Sequence, residues 1–197
     1  TSTMIQEISA VSAVINGGTY YQPHVVKEIK SQEDGSVLKT NEGNVLKQIV
    51  SSDVSEKIRE YMGMSVTSGT SRKSKVQGYS MGGKTGTAEI LSTKEKDYLV
   101  SFIGFAPLDT PQVVVYVVVD RPNVEEQADS SYAQYIAQAI LDEILPYMNI
   151  YPDEETEETT KLWDGFKGVL KLDDSEVEVD EPAVQTEGSE TGTDNAP

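Results

Sequence analysis

Apolar side chains at Met4, Ile5, Ile8, Val11, Val14 and Ile15 recur at helical spacing, which predicts an amphipathic helix over the first fifteen residues. Thr3 and Gln6 have the capping-box spacing that would start it. Asn16-Gly17-Gly18 would stop it, because glycine takes the left-handed turn that ends helices. The pattern then shifts to strand. TYYQPHVVKEIK (residues 19–30) reads as one strand, Asp34-Gly35 as a tight hairpin turn, and SVLK as its return. A second helix is expected from Ser52 or Asp53, carrying Val54, Ile58, Tyr61 and Met62 on one side. VTSGTSRKSKVQG (66–78) is polar and loop-like. Three strands follow: YSMGGKTGTAEIL (79–91), YLVSFIGFAP (98–107) and VVVYVVVD (113–120). PLDTPQ is a hairpin-length connection, so the last two run antiparallel. The unbroken apolar run of VVVYVVVD predicts burial on both faces, inside a sheet and not at its edge. A final helix starts at Asp129 or Ser130, carries Tyr132, Tyr135, Ile136, Ala139, Ile140 and Ile144, and closes at Pro146.

Composition divides the chain in two. Its 197 residues suit one ordinary domain, and the net charge of −17 is unevenly spread. Residues 151–197 hold fifteen acids against three bases, whereas residues 1–150 hold eighteen against thirteen. Residues 1–150 therefore read as a folded domain. Residues 151–197, rich in Thr, Ser and Glu, bury too little apolar surface to offset their ordering entropy and read as a disordered tail. One apolar stretch, LWDGFKGVLKL (162–172), is either a docking segment or a collapsed part of that tail. No basic patch suits a phosphate backbone, so nucleic acid is not an expected partner. The absence of cysteine excludes disulfides and thiolate metal sites, and the single histidine excludes a histidine-rich one. His24, after a proline in the expected strand, reads as a surface or half-buried residue. Asp120 reads as a strand-end residue, and most tyrosines as core. No stretch of about 18 apolar residues is present to span a membrane.

The candidate chemistry sits in GYSMGGKTGTAE (78–89). Gly78, Gly83, Lys84 and Thr85 match the P-loop spacing. A P-loop, however, needs a buried strand before its glycines and a helix after its Lys-Thr, so that loop amides and the helix N-terminus surround phosphate. SRKSKVQ precedes Gly78 and GTAEIL follows Thr85, and neither flank qualifies. Antiparallel strands downstream also conflict with the parallel sheet of a nucleotide fold. The alternative is a strand motif beside a cleft. On a flat strand Lys84 and Gly86 share one face, and Thr85 and Thr87 the other. Gly86 would let a substrate backbone lie close, and Gly82 and Gly83 would keep the approach bare. The ammonium and hydroxyls suit a substrate carboxylate, and a backbone N–H suits an oxyanion. Lys-Thr-Gly is a motif of penicillin-binding proteins and class A β-lactamases.

The blocks SAVINGGTYYQPHVVKEI, GYSMGGKTGTAE, SFIGFAP and VVVYVVVDRP, in that order, resemble the C-terminal half of a penicillin-binding transpeptidase domain over residues 3 to about 148. Ala88-Glu89 after the motif resembles the monofunctional class B enzymes of division, elongation or sporulation. The resemblance implies an α+β, β-lactamase/transpeptidase-like fold, with the last three antiparallel strands of its main sheet present here. It implies that Lys84, Thr85 and Thr87 bind the carboxylate of a stem peptide or of a β-lactam. The Thr87 amide would form half of the oxyanion hole, Gly86 would permit close approach, and Gly69-Thr70 would shape the cleft. The resemblance implies no metal and no cofactor; the expected partners are peptidoglycan stem peptides, β-lactams as acylating inhibitors, and other cell-wall synthesis proteins. The expected location is the outer face of the cell membrane, reached through a membrane segment elsewhere in the protein.

The family's nucleophile lies in an S-x-x-K motif, and its S-x-N motif is likewise expected upstream of these residues. Ser71 with Lys75 has one spacer too many; Ser55 with Lys57, Ser71 with Lys73 and Ser92 with Lys94 have one too few. The chain is therefore expected to be part of a longer enzyme and to hold no catalytic nucleophile of its own. A β-lactam-hydrolysing or β-lactam-sensing relative, and a non-catalytic cell-wall scaffold, are the alternatives. The resemblance also pairs VVVYVVV with a strand contributed early in the domain. Left without it, each uncovered Val or Ile would forfeit roughly 1.5–3 kcal/mol of burial, so the chain alone is expected to aggregate or stay molten.

Overall fold

The computed structural model describes residues 2–91 and 96–156. Helix α1 (Met4–Ile15) starts as its capping box requires. The Gln6 amide donates to Thr3 Oγ1 at 3.3 Å, and the Thr3 amide to Gln6 Oε1 at 2.8 Å. It ends at Asn16, followed by Gly17 and Gly18 at φ +94° and +96°. A side chain at Gly18 would lie 2.0 Å from the Val50 carbonyl oxygen, so only glycine fits that turn.

The expected single strand at 19–30 is two. Strand β1 (Thr19–Tyr21) and β2 (Glu28–Lys30) are separated by a loop holding Pro23 and an exposed His24. Strand β2 pairs antiparallel with β3 (Val37–Thr40), as the Asp34-Gly35 turn implies. Strand β1 pairs instead with β4 (Val45–Gln48), which has no counterpart among the expected elements. Both small sheets are two-stranded.

Helix α2 (Ser52–Thr67) is capped by Ser51 and docks against the end of α1 through two polar residues. Fully buried Ser55 accepts from the Gly17 amide at 2.9 Å. Arg59 donates to the Ile15 carbonyl at 2.9 Å, satisfying one of the helix's terminal acceptors.

The main sheet has the order β5-β6-β7, formed by β5 (Gly82–Ile90), β6 (Asp97–Ala106) and β7 (Val113–Asp120), all antiparallel. Strand β7 is thus an edge strand among the described residues, and Val113 through Val119 are half-buried. Its interior-strand composition is met here by a partner on one side only. Helix α3 (Ser131–Tyr147) covers one face, where Phe102, Val115, Val117 and Val119 pack with Ala133 and Ala137. Farther along, Val66, Val76, Met81, Leu141 and Leu145 close the larger part of the core. Pro146 does not terminate α3 but lies inside its last turn. Asp120, at the end of β7, is exposed and paired with Arg121 at 3.0 Å. The segment 162–172 and Ser92-Thr93-Lys94 lie outside the described residues.

Candidate functional site

The KTGT tetrapeptide lies in the middle of β5, with Lys84 opposite Ile103, Thr85 opposite Phe102, Gly86 opposite Ser101 and Thr87 opposite Val100. A strand paired along its whole length does not cradle phosphate or lead into a helix, which removes the P-loop reading.

Strand β5 is an edge among the described residues, and the ladder decides which of its backbone groups face outward. The Tyr98 amide does not donate to β5. It donates to Gln127 at 3.0 Å, and the Tyr98 carbonyl accepts from the Arg121 amide at 2.9 Å. Tyr98 therefore belongs to the β7 side. In an antiparallel ladder a residue's N–H and C=O point the same way and alternate along the strand. With no register shift between β5 and β6, Lys84, Gly86 and Ala88 bond to β6, whereas Thr85, Thr87 and Glu89 turn their backbone groups to the open side. The Thr87 amide is aimed out of the sheet.

The side chains gather on the same side. Lys84 springs from the face it shares with Gly86, yet its Nζ curls back to donate to the Thr85 carbonyl at 2.7 Å. That carbonyl faces the open edge, so the ammonium and the Thr87 amide share it. Thr85 Oγ1 lies 3.3 Å from Thr70 Oγ1, which brings the Gly69-Thr70 turn alongside the motif. Lys84 and Thr87 are exposed and Thr85 half-buried. A cation, hydroxyls and an unladdered amide on one edge can receive an anionic group and a developing oxyanion. Lys84–Thr87 line none of the cavities of about 410, 450 and 480 Å³ found around α1, the β2–β3 hairpin and α2.

Two glycines do not keep the approach bare, the task expected of them from the sequence. Gly82 and Gly83 are buried. A side chain at Gly82 would lie 2.2 Å from Phe105, and one at Gly83 would lie 2.5 Å from Phe102. These positions make room for aromatic rings on the sheet and not for an approaching ligand. At Gly86 an added Cβ would meet the Ser101 hydroxyl at 2.6 Å.

The loop before β5 is tied down at many points. Gln134, 2% exposed, accepts from the Lys73 amide at 3.1 Å, and Gln138 donates to the Lys75 carbonyl at 2.6 Å. Tyr79 donates its hydroxyl to the Ile150 carbonyl at 3.0 Å. Burial pushes the Tyr79 phenol above its ordinary value, with Asp142 and Asp153 adding to the rise, so it remains a donor.

The chain does hold one S-x-x-K spacing, Ser36-Val37-Leu38-Lys39. It lies in the β2–β3 hairpin, where Ser36 donates to Asp34 Oδ1 at 2.7 Å. In extended chain a spacing of three turns the two side chains to opposite faces, so Lys39 is no base for Ser36. Ser71 is fully buried, its hydroxyl 2.8 Å from that of Ser65, and Ser55 is occupied by Gly17 and Arg59.

Comparison with known proteins gives one consistent answer. A model of the penicillin binding protein transpeptidase domain matches residues 1–142. Stage V sporulation protein D of Bacillus subtilis is 38% identical over 170 residues, covering 85% of this chain and 26% of that protein. The probable peptidoglycan D,D-transpeptidase PenA of Neisseria flavescens is 34% identical over 104 residues, covering 50% of this chain and 25% of its own length. Among solved structures, the transpeptidase domain of Burkholderia pseudomallei penicillin-binding protein 3 superposes with a TM-score of 0.63 at 25% identity, covering 78% of this chain and 45% of that one. The D,D-transpeptidase domain of a peptidoglycan glycosyltransferase from Eggerthella lenta gives 0.58 at 26% identity, over 73% of this chain and 33% of the other. The chain spans about a quarter of the length of the curated relatives it matches.

Proposed function

We propose, from the premise that this chain belongs to the penicillin-binding protein transpeptidase family, that it forms the KTGT side of a serine-type peptidoglycan D,D-transpeptidase. Residues 1–150 belong to the transpeptidase domain, and 151–197 form an acidic appendage. The nucleophilic serine and its lysine come from elsewhere in the same protein and stand opposite the outer edge of β5.

The geometry of that edge supports the reading. A stem peptide arrives with its terminal carboxylate toward Lys84 Nζ and the Thr85 and Thr87 hydroxyls. Its scissile carbonyl oxygen points at the Thr87 amide. The serine oxygen attacks the carbonyl carbon and negative charge builds on the oxygen, where an amide fixed by the β5–β6 ladder donates without reorganising. Collapse breaks the peptide bond, releases the terminal residue as a free amine, and leaves an acyl-serine ester. An amine from a second stem peptide then attacks the ester, forms the cross-link and restores the serine. A β-lactam presents a carboxylate and an amide carbonyl to the same groups and stops at the ester. The enzyme works at the outer face of the cell membrane, anchored by a segment beyond these residues.

The observation that carries this proposal is the shared direction of the Lys84 ammonium and the Thr87 amide, both on the unpaired side of β5. The test is labelling of the full-length protein by a fluorescent penicillin. Lys84→Ala is expected to abolish labelling at concentrations that saturate the parent protein. Full retention would refute the assigned role.

A further inference from the structure

The chain that leaves α3 returns to the start of β5. Ile150, 4% exposed, enters the core beside Tyr79 and Met81. Its carbonyl accepts from the Tyr79 hydroxyl at 3.0 Å. The amides of Asp153 and Glu154 both donate to the Gly78 carbonyl, at 2.9 and 3.0 Å. The Asp153 carboxylate accepts from the Ser80 amide at 2.6 Å and from the Ser80 hydroxyl. Glu154 pairs with Lys75 at 2.6 Å, and Lys75 also donates to the Tyr79 carbonyl. Ser80 Oγ accepts in turn from the Leu108 amide at 2.9 Å, which ties in the β6–β7 connection. Residues 151–154 are tail by composition, yet four of their polar groups, the amides and carboxylates of Asp153 and Glu154, are spent on the loop that delivers the motif.

The placement matters because β5 is an edge strand. Its inner side is fixed by β6, and its N-terminal end is fixed by residues 78–81. Ser80 lies four residues before Lys84, too close for slack between them. Asp153 is exposed, so its contacts add little to global stability. Their effect is local: they set where the strand begins.

We propose that residues 150–154 are a strap that positions the KTGT strand for acylation, with Asp153 as its principal positioning residue. The proposal rests on the carboxylate-binding role given to Lys84–Thr87 above. The strap touches no substrate and acts through Ser80 and Gly78. It also makes the start of the acidic appendage continuous with the catalytic strand.

The test measures acylation of the full-length protein by a fluorescent penicillin. The rate constant is taken from time courses, the reactive fraction from end-point labelling, and Tm is measured in parallel. Asp153→Ala is expected to slow acylation about 3–10-fold, because small misplacements of a reacting geometry are costly. Its Tm should move by no more than about 2 °C. Asp153→Asn keeps an oxygen for the Ser80 amide and should restore the rate to within about twofold. Ser80→Ala should slow the reaction too; it decides the matter should Asp153→Ala not fold. A chain ending after Thr156 should react at the parental rate, and one ending after Tyr151 should be at least as slow as Asp153→Ala. Parental rates for Asp153→Ala and for the chain ending after Tyr151 would overturn the strap. So would a lower reactive fraction whose surviving molecules react normally, since that is the mark of a purely structural role. Lys84→Ala, run alongside, separates the two readings. If it abolishes acylation while the strap variants do not slow it, the strap alone fails; if it too is without effect, the site reading fails with it.

Discussion

Gly83 lies opposite Gly104 across β5 and β6, and the ring of Phe102 covers both. An ideal Cβ at Gly83 falls 2.5 Å from Phe102 Cζ and 2.6 Å from Cε2, and 3.3 Å from the Ile103 carbonyl oxygen. Ordinary contact begins at 3.4 Å, so the ring in Gly83→Ala must retreat by roughly an ångström in an interior packed as densely as a crystal. It has no room to do so. Phe102, Ala133 and Ala137 are all fully buried, and the helix face behind the ring belongs to α3. Overpacking of this kind costs about 1–3 kcal/mol, which for a domain of this size lowers Tm by about 2–12 °C. Differential scanning calorimetry on the intact transpeptidase domain, comparing Gly83→Ala, Phe102→Leu and the double variant, isolates the cause. A smaller side chain at 102 gives the new methyl space, so the double variant should be more stable than the sum of the single effects by about 1 kcal/mol. A Gly83→Ala protein that melts within about 1 °C of the parent, or strictly additive effects, would show that the ring does not depend on the bare glycine pair.

The direction of the Thr87 amide yields a sharper functional test. Proline at 87 removes that amide without removing a bond to β6, so Thr87→Pro should fold yet lose about 10²–10³-fold in acylation, whereas Thr87→Ala, which keeps the amide, should lose less than about tenfold; equal rates for the two would place the oxyanion donor elsewhere. At the α1–α2 junction, Ser55→Ala leaves the half-buried Gly17 amide without its acceptor and should lower stability by about 1–2 kcal/mol in urea titrations, with no change in the slope. Asp129 accepts from the Ser131 hydroxyl and then its amide, with Lys73 adding a smaller pull, which holds its carboxyl below the ordinary 3.8. A depressed folded-state value means that Asp129 stabilises the fold above the unfolded value and loses that contribution as pH falls through the folded one. Plotted against pH from 6 to 2, Tm should fall less steeply for Asp129→Asn than for the parent, and parallel curves would contradict the assignment.

Much of this was legible in advance where a signal is local. Thr3 and Gln6 cap α1 because both halves of the box lie within one turn, and Gly17-Gly18 end it because the left-handed backbone is a property of the residue. Asp34-Gly35 implied the β2–β3 hairpin for the same reason. The KTGT strand and its hairpin neighbours followed from period and turn length. Where pairing is distant, the reading failed. Residues 19–30 look like one strand, but β1 pairs with β4 and β2 with β3, so the chain bends at 22–27. Residues 45–48 carry no strong strand signal and become strand because β1 lies beside them. Ser36-Lys39 shows the converse: a spacing that satisfies a motif means nothing in extended chain.

The candidate site divides in the same way. Amino-acid types and their order supplied a cation, two hydroxyls and a glycine at alternating positions, and with them the family. Which backbone groups face outward is not a property of KTGT at all. It depends on Tyr98 bonding toward β7, a fact about a strand eleven residues on from Thr87 and about Arg121 beyond it. Gly82 and Gly83 likewise looked like open ground until Phe102 and Phe105 were seen to lie over them. Short-range periodicity, capping and charge are written into the chain because their partners sit within a few residues. The aim of the Thr87 amide, the exposure of β7 and the hold of residues 150–154 on β5 are decided by partners far along the chain, which only the packed sheet brings together.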